Sequence, residues 1–190
     1  MLDTCTLYAG IRRDLLLSMS VLGVYRMVLG DELLDEIERV DRLKRCEQGT
    51  EPAAAQAGAR YLVDQLRANF DLENAERLRL LKDVGLPDPE DEHVLKLALV
   101  GGADVIVTDN LRDFPRSALP GDLRLQRPVD FLHDMVTADR AAATAALVDM
   151  SARRRRPPQS VLDLLDIMVI KGHMRGETAD VLRRELKGPC

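Results

Sequence analysis

"DPEDEHVLKLALVGGADVIVTDNLRDFP", residues 88–115, limits the possible folds more than any other stretch of the chain. It reads as turn, helix, stop, strand and turn in immediate succession. Asp88 is suited to cap a helix and Pro89 to occupy its first position. Within residues 90–101, Val94, Leu95 and Ala98 share one helical face. Gly101-Gly102 is a stop signal, and "ADVIVT" (103–108) is a β-branched run suited to a buried parallel strand. The same stretch holds Asp88, Glu90, Asp91, Glu92, Asp104, Asp109 and Asp113. These acids lie at the mouths of a helix and a strand, where a parallel sheet usually keeps its ligand site.

The remaining chain alternates in the same way. Met1–Leu2 reads as a very short strand ending at Asp3, and residues 11–22 as an amphipathic helix. "YRMVL" (25–29) fits a second strand, followed by a helix over 32–45. A Gly, Glu and Pro cluster at 47–52 precedes an Ala-rich helix at 53–68 and a weaker one at 73–82. "LRLQ" (123–126) fits one more strand before a helix at 129–136. Such alternation is the signature of an α/β fold. Beyond it the pattern is helical only: 138–154, 160–170 and 177–187. Two regions are therefore expected, an α/β domain over 1–135 and a helical extension over 136–190, too small to bury much by itself.

Bulk properties narrow the class. The 190 residues are 46% apolar and 31% charged, with 3% aromatics and no Trp, so aliphatic side chains must fill the core. No apolar run approaches the roughly 20 residues of a membrane span, and no basic segment leads into an apolar one as in a secretion signal. Cys5, Cys46 and Cys190 are odd in number and lack metal-ligand spacing, which fits reduced thiols in a cytoplasm. A net charge of −5 weighs against a nucleic-acid partner. That weight vanishes if some of the acids hold divalent cations, each of which cancels two charges.

Four positions pass a test of direction, the last of them the group that follows the strand "DVIVT". Asp3 projects from the carboxyl end of the first strand. On the helix after Asp31, Leu33, Leu34, Ile37 and Val40 share one arc; Glu36 lies at its border and Asp35 points away. Asp91 stands three, four and seven positions before Val94, Leu95 and Ala98, on the buried face, with Glu90 and Glu92 at wider angles. Asp109, Asn110 and Asp113 follow the strand "DVIVT". Taken singly, each acid has an ordinary use as a surface charge, a helix cap or a turn. Together they place carboxylates at several carboxyl ends of one sheet, a costly convergence without cations. An all-oxygen set without His or Cys suits Mg²⁺ or Mn²⁺ rather than Zn²⁺. Oxygen-bound metal pairs serve phosphodiester cleavage.

The opening "LDTCTLY", the "LLDEIERV" helix and "LPDPEDEHVLKLALVGGADVIVTDNLRDFP" resemble the PIN-domain ribonucleases, and more narrowly the VapC-type toxins of bacterial toxin–antitoxin pairs. The likeness covers residues 1–135, and the helical tail resembles that of one branch of the family. It implies a three-layer α/β/α sandwich and Mg²⁺-dependent (or Mn²⁺-dependent) endonucleolytic cleavage of RNA, leaving a 5′-phosphate and a 3′-hydroxyl. It also implies a VapB-type antitoxin partner and a homodimer. Carried over by position, the site is Asp3, Glu36, Asp91 and Asp113, with Thr108 and Asn110 beside it. Asp109 is the alternative fourth ligand.

The chain departs from the family pattern at two places. Cys5 stands where Asn is common, which removes an expected polar contact. Only two residues precede Asp3, which leaves open a start upstream of Met1. Arg12, Arg13, Arg112 and Arg116 are candidates to hold RNA phosphates. "RRRR" at 153–156 could meet RNA, an acidic antitoxin segment or only water. His93, His133 and His173 receive no role. Two other functions fit the same residues: an interaction module with a weakened site, and a nuclease of RNA processing or of DNA without an antitoxin.

Overall fold

A computed structural model describes residues 1–8, 10–155 and 157–187. Arg156 of the arginine run and Cys190 lie outside the described residues. In chain order the helices are α1 (Thr4–Tyr8), α2 (Gly10–Val21), α3 (Asp31–Glu47), α4 (Pro52–Asn69), α5 (Ala75–Arg79), α6 (Glu92–Val100), α7 (Pro128–Ala138), α8 (Arg140–Arg153), α9 (Val161–Ile170) and α10 (Gly176–Leu186). The strands are β1 (Val105–Val107) and β2 (Arg124–Gln126), paired in parallel. Two compact units result: residues 1–8 with 27–126, and residues 9–26 with 127–190.

In the first unit, β1 pairs with β2 on one edge and with the chain start on the other. Leu2 bridges Val107 in parallel, Val107 N–H donates to Met1 O, and Asp3 N–H donates to Val107 O, each at 3.0 Å. The chain start is therefore a rudimentary third strand. Leu2, Ile106 and Val107 are buried with Val94, Leu95 and Ala98 of α6 and Leu33, Leu34 and Ile37 of α3. This apolar contact, worth about 25 cal/mol per Å² removed from water, fixes where each acidic neighbour must lie. The expected α/β character holds, with parallel strands among helices and a helical C-terminal part.

Several elements differ from expectation. Among the described residues, the 25–29 segment pairs only through an isolated bridge between Leu29 and Leu72. Tyr25 instead turns back on α2: its carbonyl accepts the Ser20 hydroxyl at 3.1 Å and its own hydroxyl donates to Leu16 O at 2.7 Å. The helix at 73–82 shrinks to α5, because Leu72 is in that bridge and Asn74 caps the start by accepting Glu76 N–H. An unforeseen short helix, α1, follows Asp3 at once; Thr6 and Leu7 N–H donate to Asp3 O.

The helix at 90–101 begins later than its sequence implies. Residues Pro89–Asp91 form a 3₁₀ turn capped by Asp88, and α6 proper starts at Glu92. The change of winding moves Glu92, not Asp91, to the buried face, with 6% exposure. Gly101 ends α6 with an ordinary φ of −78°. Its small size serves packing: a Cβ there would lie 2.3 Å from Val28 Cγ1. The neighbouring Gly102 supplies the left-handed turn, with φ +59°.

In the second unit, α2 packs on α8 and α9, while α10 packs on α7, α8 and α9. Leu164, Leu165, Met168 and Met174 are buried in this helical core. His133 Nδ1 pairs with the Thr178 hydroxyl at 2.8 Å, a contact between α7 and α10.

Candidate active site

Asp3 is held at both carboxylate oxygens. It is 4% exposed, and its Oδ1 accepts the Thr4 N–H at 2.6 Å. Oδ2 accepts the Thr108 hydroxyl at 2.7 Å and the Cys5 thiol at 3.0 Å. The expected loss of a polar contact at Cys5 therefore does not occur. Burial, then the Asp3 charge, pushes the Cys5 thiol up to about 11, so it remains a protonated donor. Cys5 Sγ also accepts the Asp109 N–H at 3.3 Å, tying Asp3 to the loop after β1.

Glu36 projects from α3 at the edge of its buried face, while Asp35 on the same turn is exposed. Leu33, Leu34 and Ile37 set that phase by their burial. Glu36 Oε2 accepts the Thr4 hydroxyl at 2.7 Å and lies 3.3 Å from His93 Nε2; Oε1 lies 4.0 Å from the exposed Arg39. The His93 contact, opposed by burial and helped by Thr4, holds the Glu36 carboxyl below its ordinary range. Burial disfavours the charged imidazole, yet Glu36 and the Glu90 carbonyl hold His93 above its ordinary value.

Asp91 shows that these acids share one field. Burial, and then the charges of Asp3, Asp113, Asp88 and Glu36, push its carboxyl up to about 6. Asp113 is half-buried in the turn after β1, and Phe114 beside it is 1% exposed. The side-chain bond of that turn comes from Thr108: its Oγ1 accepts the Asn110 N–H at 2.9 Å, and Asn110 O accepts the Asp113 N–H at 3.1 Å. Asp109 is exposed.

Among the described residues, no three His, Cys, Asp or Glu side chains form a ready-made metal cage. The donors nevertheless fit a hard cation. They are all oxygens and they repel one another at Asp91. Mg²⁺ usually keeps several waters and takes only one or two carboxylates, so a closed cage is not required.

The arginine candidates fall in different places. Arg12 and Arg13 belong to α2 in the second unit, Arg12 buried and Arg13 3.6 Å from Asp14. Arg112 is exposed in the turn before Asp113. Arg116 donates to Leu123 O at 2.9 Å and Gly121 O at 3.3 Å, bracing its own loop. In the run at 153–156, Arg153 donates to the Ser18 hydroxyl at 3.2 Å and Arg154 to Asp14 at 2.9 Å.

The family model described as PIN domain matches residues 1–112, more than half of the sequence. The chain belongs to the PIN-domain family. Asp3, Glu36 and Asp91 lie inside the PIN match, and Asp113 lies one residue past its end. A second family model, the VapC50 C-terminal domain, matches residues 128–184. The two matches in tandem are those of a VapC-type PIN protein. A protein of Mycobacterium tuberculosis (strain ATCC 25618 / H37Rv) named "Putative ribonuclease VapC50" is 38% identical over 80 residues. The aligned stretch is 42% of this chain and 47% of that relative, so the match spans about half of the relative's length. No solved structure matches the chain.

Sequence reasoning passed over Thr4, Asp88 as a charge on Asp91, and above all His93. The position of Thr4 directly after Asp3 was a usable signal once α1 is allowed. Nothing in the spacing pointed to His93, which meets Glu36 from another helix.

Proposed function

We propose that this PIN domain is a metal-dependent endoribonuclease and the toxin of a VapC-type toxin–antitoxin pair. The observation that carries this reading is the shared acidic field: carboxylates from the chain start, α3, the turn before α6 and the turn after β1 act together on Asp91. Mg²⁺ or Mn²⁺ would be held by Asp3, Glu36, Asp91 and Asp113. Such an ion supplies positive charge to the reacting phosphodiester and makes water a better nucleophile near neutral pH.

The chain's own residues prepare that chemistry. Thr4, Cys5 and Thr108 fix both oxygens of Asp3. Thr4 also fixes Glu36, so one residue sets the relation between two acids. Arg112, exposed and next to Asp113 in sequence, would meet an RNA phosphate in this reading. The partners of this reading are an RNA substrate, a VapB-type antitoxin and a second copy of the chain. Its setting is the cytoplasm; among the described residues, no helix is long and apolar enough to cross a membrane.

Cleavage of total cellular RNA by purified protein in Mg²⁺, Mn²⁺ or EDTA tests the proposal. Wild type should cut with metal and stop with EDTA, and Asp91→Asn should be inactive in both. Absence of metal-dependent cutting by wild type would overturn it.

A further inference from the structure

We propose that His93 is a positioning residue for the acidic site: from α6 it holds the Glu36 carboxylate of α3 in the orientation that receives the cation. The inference rests on the reading of Glu36 as a metal ligand and adds to it a group from outside the acidic set. His93 stands in the first turn of α6, and its side chain is 19% exposed. Nδ1 lies 2.6 Å from Glu90 O, which fixes the ring plane at one end. Nε2 lies 3.3 Å from Glu36 Oε2 at the other.

Nε2 is closed off from water, and its approach to Glu36 falls outside well-aligned hydrogen-bond geometry. With Nδ1–H given to the Glu90 carbonyl, Nε2 meets the carboxylate as the second N–H of the ring, at ion-pair distance. Glu36 Oε2 is thereby flanked by two groups, the Thr4 hydroxyl at 2.7 Å and the His93 ring. Thr4 in turn donates its N–H to Asp3 at 2.6 Å. His93, Glu36, Thr4 and Asp3 thus form one chain of polar contacts across α6, α3 and α1. Arg39 also faces Glu36, but at 4.0 Å and with a 58% exposed side chain, where water screens it. Groups that orient a ligating carboxylate typically change metal affinity by about 10–100-fold when removed.

The test titrates Mn²⁺ alone against full-length protein and reads the metal-induced rise in melting temperature, together with the metal-free melting temperature. His93→Ala should raise the half-saturating Mn²⁺ concentration by about 10-fold or more. His93→Gln, which keeps a donor, should recover part of that loss, and Arg39→Gln should match wild type. In a Glu36→Gln background, His93→Ala should add no further loss. If His93→Ala unfolds without metal, His93→Gln carries the comparison, alone and in the Glu36→Gln background. Wild-type Mn²⁺ affinity in His93→Ala, beside a weakened Glu36→Gln, would overturn the role of His93 and leave the acidic site standing. Unchanged affinity in Glu36→Gln would overturn both.

Discussion

Thr108 donates its hydroxyl to Asp3 Oδ2 at 2.7 Å across 105 positions of sequence, joining the ends of two adjacent parallel segments. Thr108 Oγ1 also accepts the Asn110 N–H, so one hydroxyl serves both the acid and the turn that carries Asp113. Thr108→Val keeps the shape and deletes both bonds, leaving a buried carboxylate oxygen short of a donor. We expect a stability loss of about 1–3 kcal/mol and a clear fall in RNA cleavage, with Thr108→Ser near wild type. Urea unfolding and cleavage rates check both.

Glu36 and Asp35 are neighbours that the phase of α3 separates, one at the edge of the buried face and one exposed. Glu36→Gln should abolish cleavage, whereas Asp35→Asn should leave it nearly intact. Equal effects would show that the reading of the site from helix phase is wrong.

Asp91 should reveal itself through stability without metal. Its folded-state carboxyl is raised to about 6 by burial and by Asp3, Asp113, Asp88 and Glu36. Between the unfolded value and about 6 the folded protein binds more protons, so stability falls as pH rises through that window. Above it, Asp91 remains a burden of roughly 1 kcal/mol once solvent screening is allowed for. Asp91→Asn should therefore melt higher than wild type at pH 7.5 in EDTA, yet lose most of the Mn²⁺-induced rise. Thermal melts of both proteins, with and without metal, are the measurement.

The two candidates after β1 differ in how the chain aims them. Asp113 is half-buried and its charge acts on Asp91, while Asp109 is exposed. Asp113→Asn should lower cleavage at saturating Mn²⁺ much more than Asp109→Asn, with circular dichroism unchanged in both. The reverse order would make Asp109 the fourth ligand.

What could be read from sequence divides along a physical line. Leu33, Leu34 and Ile37 fixed the phase of α3 because helical periodicity is local, and so the contrast of Glu36 with Asp35 was legible. Val94, Leu95 and Ala98 likewise marked the buried face of α6. The start of α6 was not legible, since an acid-rich turn after Pro89 can wind as 3₁₀ or α with the same composition. The bond of Cys5 to Asp3, two positions away, was hidden because α1 was unforeseen. The contacts of Cys5 with Thr108 and of His93 with Glu36 were hidden because those partners lie on elements remote in sequence. Tyr25 read as strand by its residue type, but its partners on α2 decided otherwise.

That shift of winding leaves Glu92 with a structural task of its own. Its buried carboxylate accepts the N–H groups of Val84 at 2.9 Å, Gly85 at 2.6 Å and Leu86 at 2.8 Å. Burial opposes the charge, but these three donors prevail and hold the carboxyl below its ordinary value. A depressed folded-state value contributes stability that is present above the unfolded value and is lost as pH falls through the folded one. Glu92→Gln keeps the side-chain length but replaces one charged acceptor oxygen with a donor. It should cost about 2 kcal/mol at pH 7, and that cost should shrink on acidification below about pH 4. Because Glu92 lies outside the acidic field, cleavage by the folded variant should stay near wild type. Urea unfolding at pH 7 and at pH 3.5 checks the first claim, and a cleavage assay at low temperature checks the second. A gap between variant and wild type that stays constant with pH would mean the three N–H donors do not depend on the charge.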